Sequence, residues 1–360
     1  MKDKILVINS GSTSLKYKLF NIDDLKEEKS GYIQNIGEKI KDHKEALELA
    51  LKEINSLERI KVVGHRVVHG GEKFIETTKI TIDNLKELER YNELAPLHNP
   101  ANLMGIKAAL NLLPNTSNYA SFDTAFYKDL EEKVYKYAIP DKYCQNNKIR
   151  RYGFHGLSHQ YVVESQKLKI QVSSAGRRGG DKSQNNKSKC KIISCHLGGG
   201  CSITASIGGK AIDTSMGFTP MEGLMMISRS GDIDPGVITY LQKKEGLNVD
   251  EINKILNFES GVYGVCGEKD WLTVLKKMKQ GNKECKLAFD MFCLRVKKYI
   301  GAYYAELGGL DALIFTGSIG SGDKKTRETI CEKLPFLERV KIEAIETNEE
   351  LQIAKEITNI

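Results

Sequence analysis

Residues 4–23 read KILVINSGSTSLKYKLFNID. ILVIN is a continuous apolar run, SGSTS is a polar, turn-forming run, and LKYKLFNI alternates apolar with polar. Strand side chains point alternately to two faces, so this pattern predicts a buried strand, a tight turn and a second, half-exposed strand. Far along the chain, residues 191–209 repeat the design as KIISCHLGGGCSITASIGG. Two distant copies of one strand–turn–strand unit predict a duplicated, two-domain α/β architecture. Its two turns are expected to face each other across a cleft.

A third glycine-rich segment, GSIGSG at 317–322, follows the apolar run ALIFT and precedes a lysine-rich stretch of helical character. Strand, glycine loop and helix make a platform on which backbone N–H groups can meet phosphate. Glycine also serves tight turns for conformational reasons alone. Apolar spacing predicts scaffold helices at 47–57, 85–94 and 289–307. Residues 173–188 (SSAGRRGGDKSQNNKS) almost lack apolar side chains and read as a long, exposed, mobile loop, dispensable for stability and turnover.

The chain has 360 residues, 40% of them hydrophobic and 28% charged, the composition of a globular protein of two domains or one large one. The excess of basic over acidic residues is +7, diffuse and not interleaved with aromatics, which disfavours nucleic acid as a partner. No run is long and apolar enough for a membrane span, and the N-terminus reads as a strand rather than a signal peptide, so a cytoplasmic location is expected. The eight cysteines form no CxxC pair and read as free thiols. Zinc on Cys190, Cys195 and Cys201 fits no common module.

Six of the seven histidines lie in short motifs rich in glycine or proline. The i, i+4 pairs His65/His69 and His155/His159 lack the Glu of HExxH, and their flanking glycines argue against regular helix, so metal ligation there is disfavoured. Arg66 stands among valines in VVGHRVVHGG, where an unpaired guanidinium would be costly. It calls for a structural carboxylate or an anionic substrate. Arg229, in SRSGDIDPG, has Asp232 and Asp234 as competing local partners. Asp123 follows the predicted strand NYASF, at the strand end where open α/β sheets bind ligands, though an Asx turn or helix cap uses Asp there as well. Glu349, in ETNEELQIAKEI, reads as a helix-start residue capped by Thr347 or Asn348.

Six motifs settle between these alternatives. GHRVVHGGEKF (64–74), LAPLHNPANLMGI (94–106), FDTAF (122–126), RRYGFHGLSH (150–159), DTSMGFTPMEGLMM (213–226) and RSGDIDPG (229–236) closely resemble the signatures of the acetate kinase family. With TNEELQIA at 347–354 the likeness spans nearly the whole chain. It implies the duplicated actin-like ATPase (ribonuclease H-like) fold, with an active-site cleft between a domain 1–124, to which helix 351–360 returns, and a domain 125–350.

The implied activity is reversible phosphoryl transfer between ATP and acetate, with Mg2+ or Mn2+ as cofactor and ATP/ADP as co-substrate. By motif, Asp123, His155 and Arg229 are the implied catalytic residues. Arg66 would bind the substrate's oxygens, while Val68, Leu97, His98, Phe154 and Pro220 would surround the acyl group. Asn9 and Glu349 would hold the metal. Lys16 and the turn His196, Leu197, Gly198, Gly199 and Gly200 would meet nucleotide phosphates. Asp270, Trp271, Leu272, Ser318, Ile319, Gly320, Ser321 and Gly322 would lie near the adenosine. A homodimer is implied, with no membrane and no nucleic acid.

Departures from the family pattern gather on the nucleotide side. HLGNG is here HLGGG, with Gly199 in place of asparagine. GIGEN is here Ser318 to Gly322, and the arginine expected near adenine is Leu272. Tyr127 stands where FDTAF is usually followed by histidine. Two other readings follow: a kinase for propionate or another short acyl group, since one methylene is worth only about 1–3 kcal/mol, or a nucleotide-binding relative with little turnover.

Overall fold

The computed structural model describes residues 2–55, 57–175 and 190–360, with residues 167–175 described by backbone only. The chain forms two compact units. One comprises Met1–Lys128, Phe154–Tyr161 and Asn348–Ile360, and the other Asp129–Gly153 and Val162–Thr347.

The first unit is built on β1 (Lys4–Ser10), β2 (Ser14–Asn21), β3 (Glu27–Gln34), β4 (Ile60–Val67), β5 (Thr78–Lys79) and β6 (Ser117–Phe122), in the order β3-β2-β1-β4-β6-β5. β1 pairs antiparallel with β2, and β1, β4 and β6 run parallel. The apolar run of β1 now has its reason. Leu6 and Ile8 face a core shared with Ala46, Leu47 and Ala109 of two covering helices, His43–Lys52 and Asn99–Leu112. Ile5 and Val7 face the opposite core, with Ile353, Ala354 and Ile357 of the helix Glu349–Thr358. A strand covered on both faces cannot alternate in polarity. Gly64 permits the second packing, because a Cβ there would stand 2.7 Å from Ile357 Cδ1.

The second unit has β7 (Lys191–Leu197), β8 (Cys201–Ile207), β9 (Lys210–Thr214), β10 (Ala312–Thr316) and β11 (Lys341–Ala344), ordered β11-β10-β7-β8-β9. β7 and β8 form the antiparallel hairpin, while β7, β10 and β11 run parallel. Thus β7-β8-β9 repeats β1-β2-β3, and β10-β11 repeats β4-β6. The duplication read from two hairpins extends to five strands of each sheet, and among the described residues only β5 has no counterpart.

Some local expectations are corrected. The predicted helix 47–57 is His43–Lys52, and Leu57 opens a 3-10 turn. Asp42 caps this helix by accepting from Lys44 N and Glu45 N, which moves its start forward. The helix predicted at 85–94 is Ile82–Glu89, continued as a 3-10 turn. The helix predicted from 289 begins at Lys283, where the Asn282 side chain accepts from Cys285 N. His159 lies on a regular helix, Gly156–Ala175, because its glycine stands at the helix start rather than inside it. The glycine segment Gly317–Gly322 is a short helix, not an open loop. The loop expected at 173–188 lies outside the described residues apart from the backbone of 173–175. All eight cysteines are free thiols.

Candidate functional site

In the first unit, adjacent parallel strands deliver Asn9 near the end of β1, Arg66 near the end of β4 and Asp123 just after β6. That is where the sheet's carboxyl edge presents side chains. Arg66 Nε and Nη2 donate to Asp123 Oδ1 at 3.1 Å and Oδ2 at 2.7 Å, a bidentate fork. Its Nη1 lies 2.9 Å from Glu349 Oε2. Asp123 is 1% exposed, and the Arg66 side chain 17%. Asp123 is therefore a buried counter-charge, not a turn or helix cap. Burial works against the Arg66 charge, but Asp123 and then Glu349 outweigh it and hold the guanidinium above its ordinary pKa. Glu349 is pushed up to about 7, first by burial and then by Asp123 and Glu350, against the lowering pull of Arg66 and Lys16.

Glu349 opens its helix, capped by Asn348, whose side chain accepts from Leu351 N. Glu350, also buried, takes Lys16 Nζ at 3.0 Å. Sequence reasoning passed over Glu350, because two glutamates at a helix start are explained by the helix dipole alone. It also passed over Asn99 and Asn102. Asn102 accepts from Val68 N at 3.1 Å and donates to Ser10 O at 2.6 Å, tying the ends of β1 and β4 together. Asn99 accepts from His69 N and donates to His69 O, both at 3.0 Å. The visible signal is Asn-Pro at a helix start within a histidine-bearing motif.

Phe154 is buried, and its carbonyl accepts from Tyr127 Oη at 2.8 Å. His155 follows with φ of 55°, a left-handed conformation that costs a non-glycine residue of order 1–3 kcal/mol. Gly156 N then donates to Asp123 O at 3.0 Å, and a Cβ on Gly156 would stand 2.0 Å from that oxygen. His155 is thus held in a strained turn whose next residue is fastened to Asp123. Val68 is buried, Leu97 is 42% exposed, and His98 is the residue before the helix Asn99–Leu112. His65 Nε2 donates to Asn118 Oδ1 at 2.8 Å, and His69 Nδ1 accepts from Gly71 N at 2.9 Å. Burial lowers His65 to about 4, against the pull of Asn118, and His69 to about 3.

In the second unit, His196 is registered against Thr316 on neighbouring parallel strands, so the turn 198–200 and the helix Gly317–Gly322 leave the sheet side by side. Ser318 Oγ would lie 3.3 Å from a Cβ on Gly198. Gly199 and Gly322 face open space, where a Cβ would meet nothing within 4 Å. Ser321 Oγ donates to Gly317 O at 2.8 Å. Asp270 caps the helix Trp271–Lys279. Trp271 is buried, stacked on Phe289 and tilted against Phe292, whereas Leu272 is 72% exposed.

Arg229 is half-buried, and Nη1 donates to Pro220 O at 2.9 Å. Its neighbours in sequence are otherwise engaged. Asp232 takes Tyr299 Oη at 2.7 Å and Arg295, and Asp234 caps the helix Pro235–Glu245. Among the described residues no carboxylate lies within 4 Å of Arg229. Burial pulls its pKa below the ordinary guanidinium value. Among the described residues no group of three or more His, Cys, Asp or Glu is arranged to hold a metal, and no helix is long and apolar enough to cross a membrane. Burial pushes the Cys201 thiol up to about 12.

A sequence model of the acetokinase family matches residues 4–352. Acetate kinase of Treponema denticola is 41% identical, with 98% of each chain covered. The crystal structure of Porphyromonas gingivalis acetate kinase matches with a TM-score of 0.88 at 38% identity, covering 99% of each chain. That of a propionate kinase from Francisella tularensis matches with a TM-score of 0.87 at 37% identity, covering 98% of each.

Proposed function

The chain belongs to the acetokinase family, and we propose that it transfers a phosphoryl group reversibly between ATP and acetate, giving acetyl phosphate and ADP by direct in-line transfer. The observation that carries this reading is Arg229, a half-buried guanidinium bonded to a carbonyl and to no carboxylate among the described residues. Phosphoryl transfer asks little covalent help of a protein and much cationic stabilisation. A cation without its own counter-ion is suited to the charge that grows on the transferring group.

The other roles follow from the local chemistry. Arg66 orients the acyl carboxylate while Asp123 fixes the guanidinium plane. His155, in its strained turn, donates to the phosphoryl oxygens. Val68, Leu97, His98, Phe154 and Pro220 bound the acyl methyl. Lys16 and the turn 196–200 meet nucleotide phosphates, and the segments 270–272 and 318–322 meet adenosine.

The family's reaction implies magnesium. Asn9 and Glu349 offer an amide and a carboxylate oxygen, the hard donors this ion takes, with its remaining positions left to water and phosphate. Burial, followed by the nearby Asp123 and Glu350, disfavours the Glu349 carboxylate, and a bound cation would relieve that cost. When bound, the ion neutralises phosphate charge. A cytoplasmic homodimer completes the reading.

Hydroxylamine trapping tests it. With ATP and acetate the chain should yield acetyl hydroxamate in step with ADP. ADP without hydroxamate would exclude the reading. The near-equal match to a propionate kinase favours propionate as a second substrate, so the assay runs from acetate to butyrate.

A further inference from the structure

The segment that presents Pro220 to Arg229 is gripped by side chains to which the family motifs assign no role. Tyr137 Oη donates to Glu222 Oε2, and the same phenol oxygen accepts from Phe218 N at 2.8 Å. Arg151 Nη2 donates to the other carboxylate oxygen, Glu222 Oε1, at 2.6 Å. Arg151 Nη1 reaches the carbonyls of Thr214, Ser215 and Met216 at 3.0, 3.3 and 3.2 Å. Gly217 makes room for this closure, since a Cβ there would stand 1.6 Å from Glu222 Oε2 and 2.0 Å from Tyr137 Oη. Burial, then Glu222, raise the Tyr137 pKa, so the phenol keeps its proton and remains a donor.

The chain of contacts is short. Glu222 fixes Tyr137, Tyr137 fixes the Phe218 amide, and two residues on the Pro220 carbonyl accepts from Arg229. The part-buried Phe218 N–H would lose its acceptor without this oxygen, and an unmet donor moves to find another partner.

We infer that Tyr137 is a positioning and specificity-determining residue: its hydroxyl sets the Phe218–Pro220 segment, which aims Arg229 and limits the length of the acyl group. This rests on the reading that Arg229 and Pro220 meet the substrate. Arg151 serves the same segment from its other end.

Tyr137→Phe removes one oxygen and keeps the ring. With acetate, kcat should fall about tenfold while KM for ATP stays within twofold. The ratio of kcat/KM for propionate to that for acetate should rise at least threefold. Glu222→Gln, which keeps the side-chain shape and weakens the grip on both Tyr137 and Arg151, should shift the ratio in the same direction. If both variants lower only the melting temperature, with the kinetic constants and acyl ratio unchanged, the hydroxyl is structural and the inference fails. Arg229→Ala separates this failure from that of the underlying reading. Should Arg229→Ala keep wild-type turnover, the assignment of Arg229 is wrong; should it lose turnover while Tyr137→Phe does not, only the role of Tyr137 is wrong.

Discussion

The two units each carry an arginine proposed to meet substrate, near the end of an apolar segment, and the two are treated oppositely. Arg66 in the first unit holds Asp123 through a bidentate fork and Glu349 through its third nitrogen. Arg229 in the second holds a backbone carbonyl, and among the described residues no carboxylate comes within 4 Å. A guanidinium already facing two carboxylates is fixed in plane and position but has little net charge left to offer. A guanidinium oriented by a neutral carbonyl keeps its charge for a visiting anion. Arg66 is therefore built into the folded core as well as proposed for the site, whereas Arg229 has no such ion pair among the described residues and its proposed role is in the site alone.

This difference is most sharply broken by removing each arginine. Arg66→Ala leaves Asp123 and Glu349 facing one another without a cation. Loss of one partner of such a buried pair costs about 3–5 kcal/mol. Denaturant unfolding should show that loss, together with near-complete loss of turnover. Normal stability would mean that the carboxylates find another partner.

Arg229→Ala should cost catalysis rather than stability. Removing one donor aimed at transition-state charge is worth about 3 kcal/mol, or roughly a hundredfold in kcat. The denaturation midpoint should stay close to that of the parent. A large stability loss would show that Arg229 is as structural as Arg66.

Glu349 sharpens the contrast through pH. Its folded pKa, about 7, lies above the ordinary carboxylate value. Between these two values the folded protein binds the extra proton, so its stabilising contribution is complete below the ordinary pKa and is lost as pH rises towards 7. Each unit of such a shift is worth about 1.4 kcal/mol. Parent stability should therefore fall over that window relative to Glu349→Gln, and magnesium with nucleotide should lessen the fall. Parallel pH profiles for the two proteins would contradict this.

The smallest effect is expected at the nucleotide. Leu272 is exposed, and a Cβ on Gly322 would meet nothing within 4 Å. Without the polar groups the family usually places there, GTP or ITP should replace ATP with only a modest loss. The triple change Leu272→Arg, Ser321→Glu, Gly322→Asn should restore ATP preference by about 1 kcal/mol, the scale of a net hydrogen bond. Strong ATP preference in both proteins would mean that the base is read elsewhere.

Much of this organisation was legible in the sequence. The β1–β2 and β7–β8 hairpins showed because a doubly covered strand gives an unbroken apolar run and its partner alternates. Arg66 showed as a charge among valines, and Asp123 as a carboxylate at the end of a strand. Their union did not, because the register of β4 against β6 and the placement of the helix Glu349–Thr358 are long-range outcomes. Asn99 and Asn102 stayed hidden for a different reason. An asparagine near a helix start is adequately explained by local capping, and only tertiary packing reveals that its amide serves another strand. The competition from Asp232 and Asp234 for Arg229 looked serious in sequence and vanished in structure, since each carboxylate has its own donors.

The reverse reaction gives the most direct test. ATP formed from acetyl phosphate and ADP can be followed for the parent, Arg66→Ala and Arg229→Ala, each alongside its denaturation curve. The parent should form ATP rapidly, both variants should show a marked loss of rate, and Arg66→Ala alone should lose stability. No ATP from the parent, or wild-type rates from Arg229→Ala, would contradict the opposite roles assigned to the two arginines.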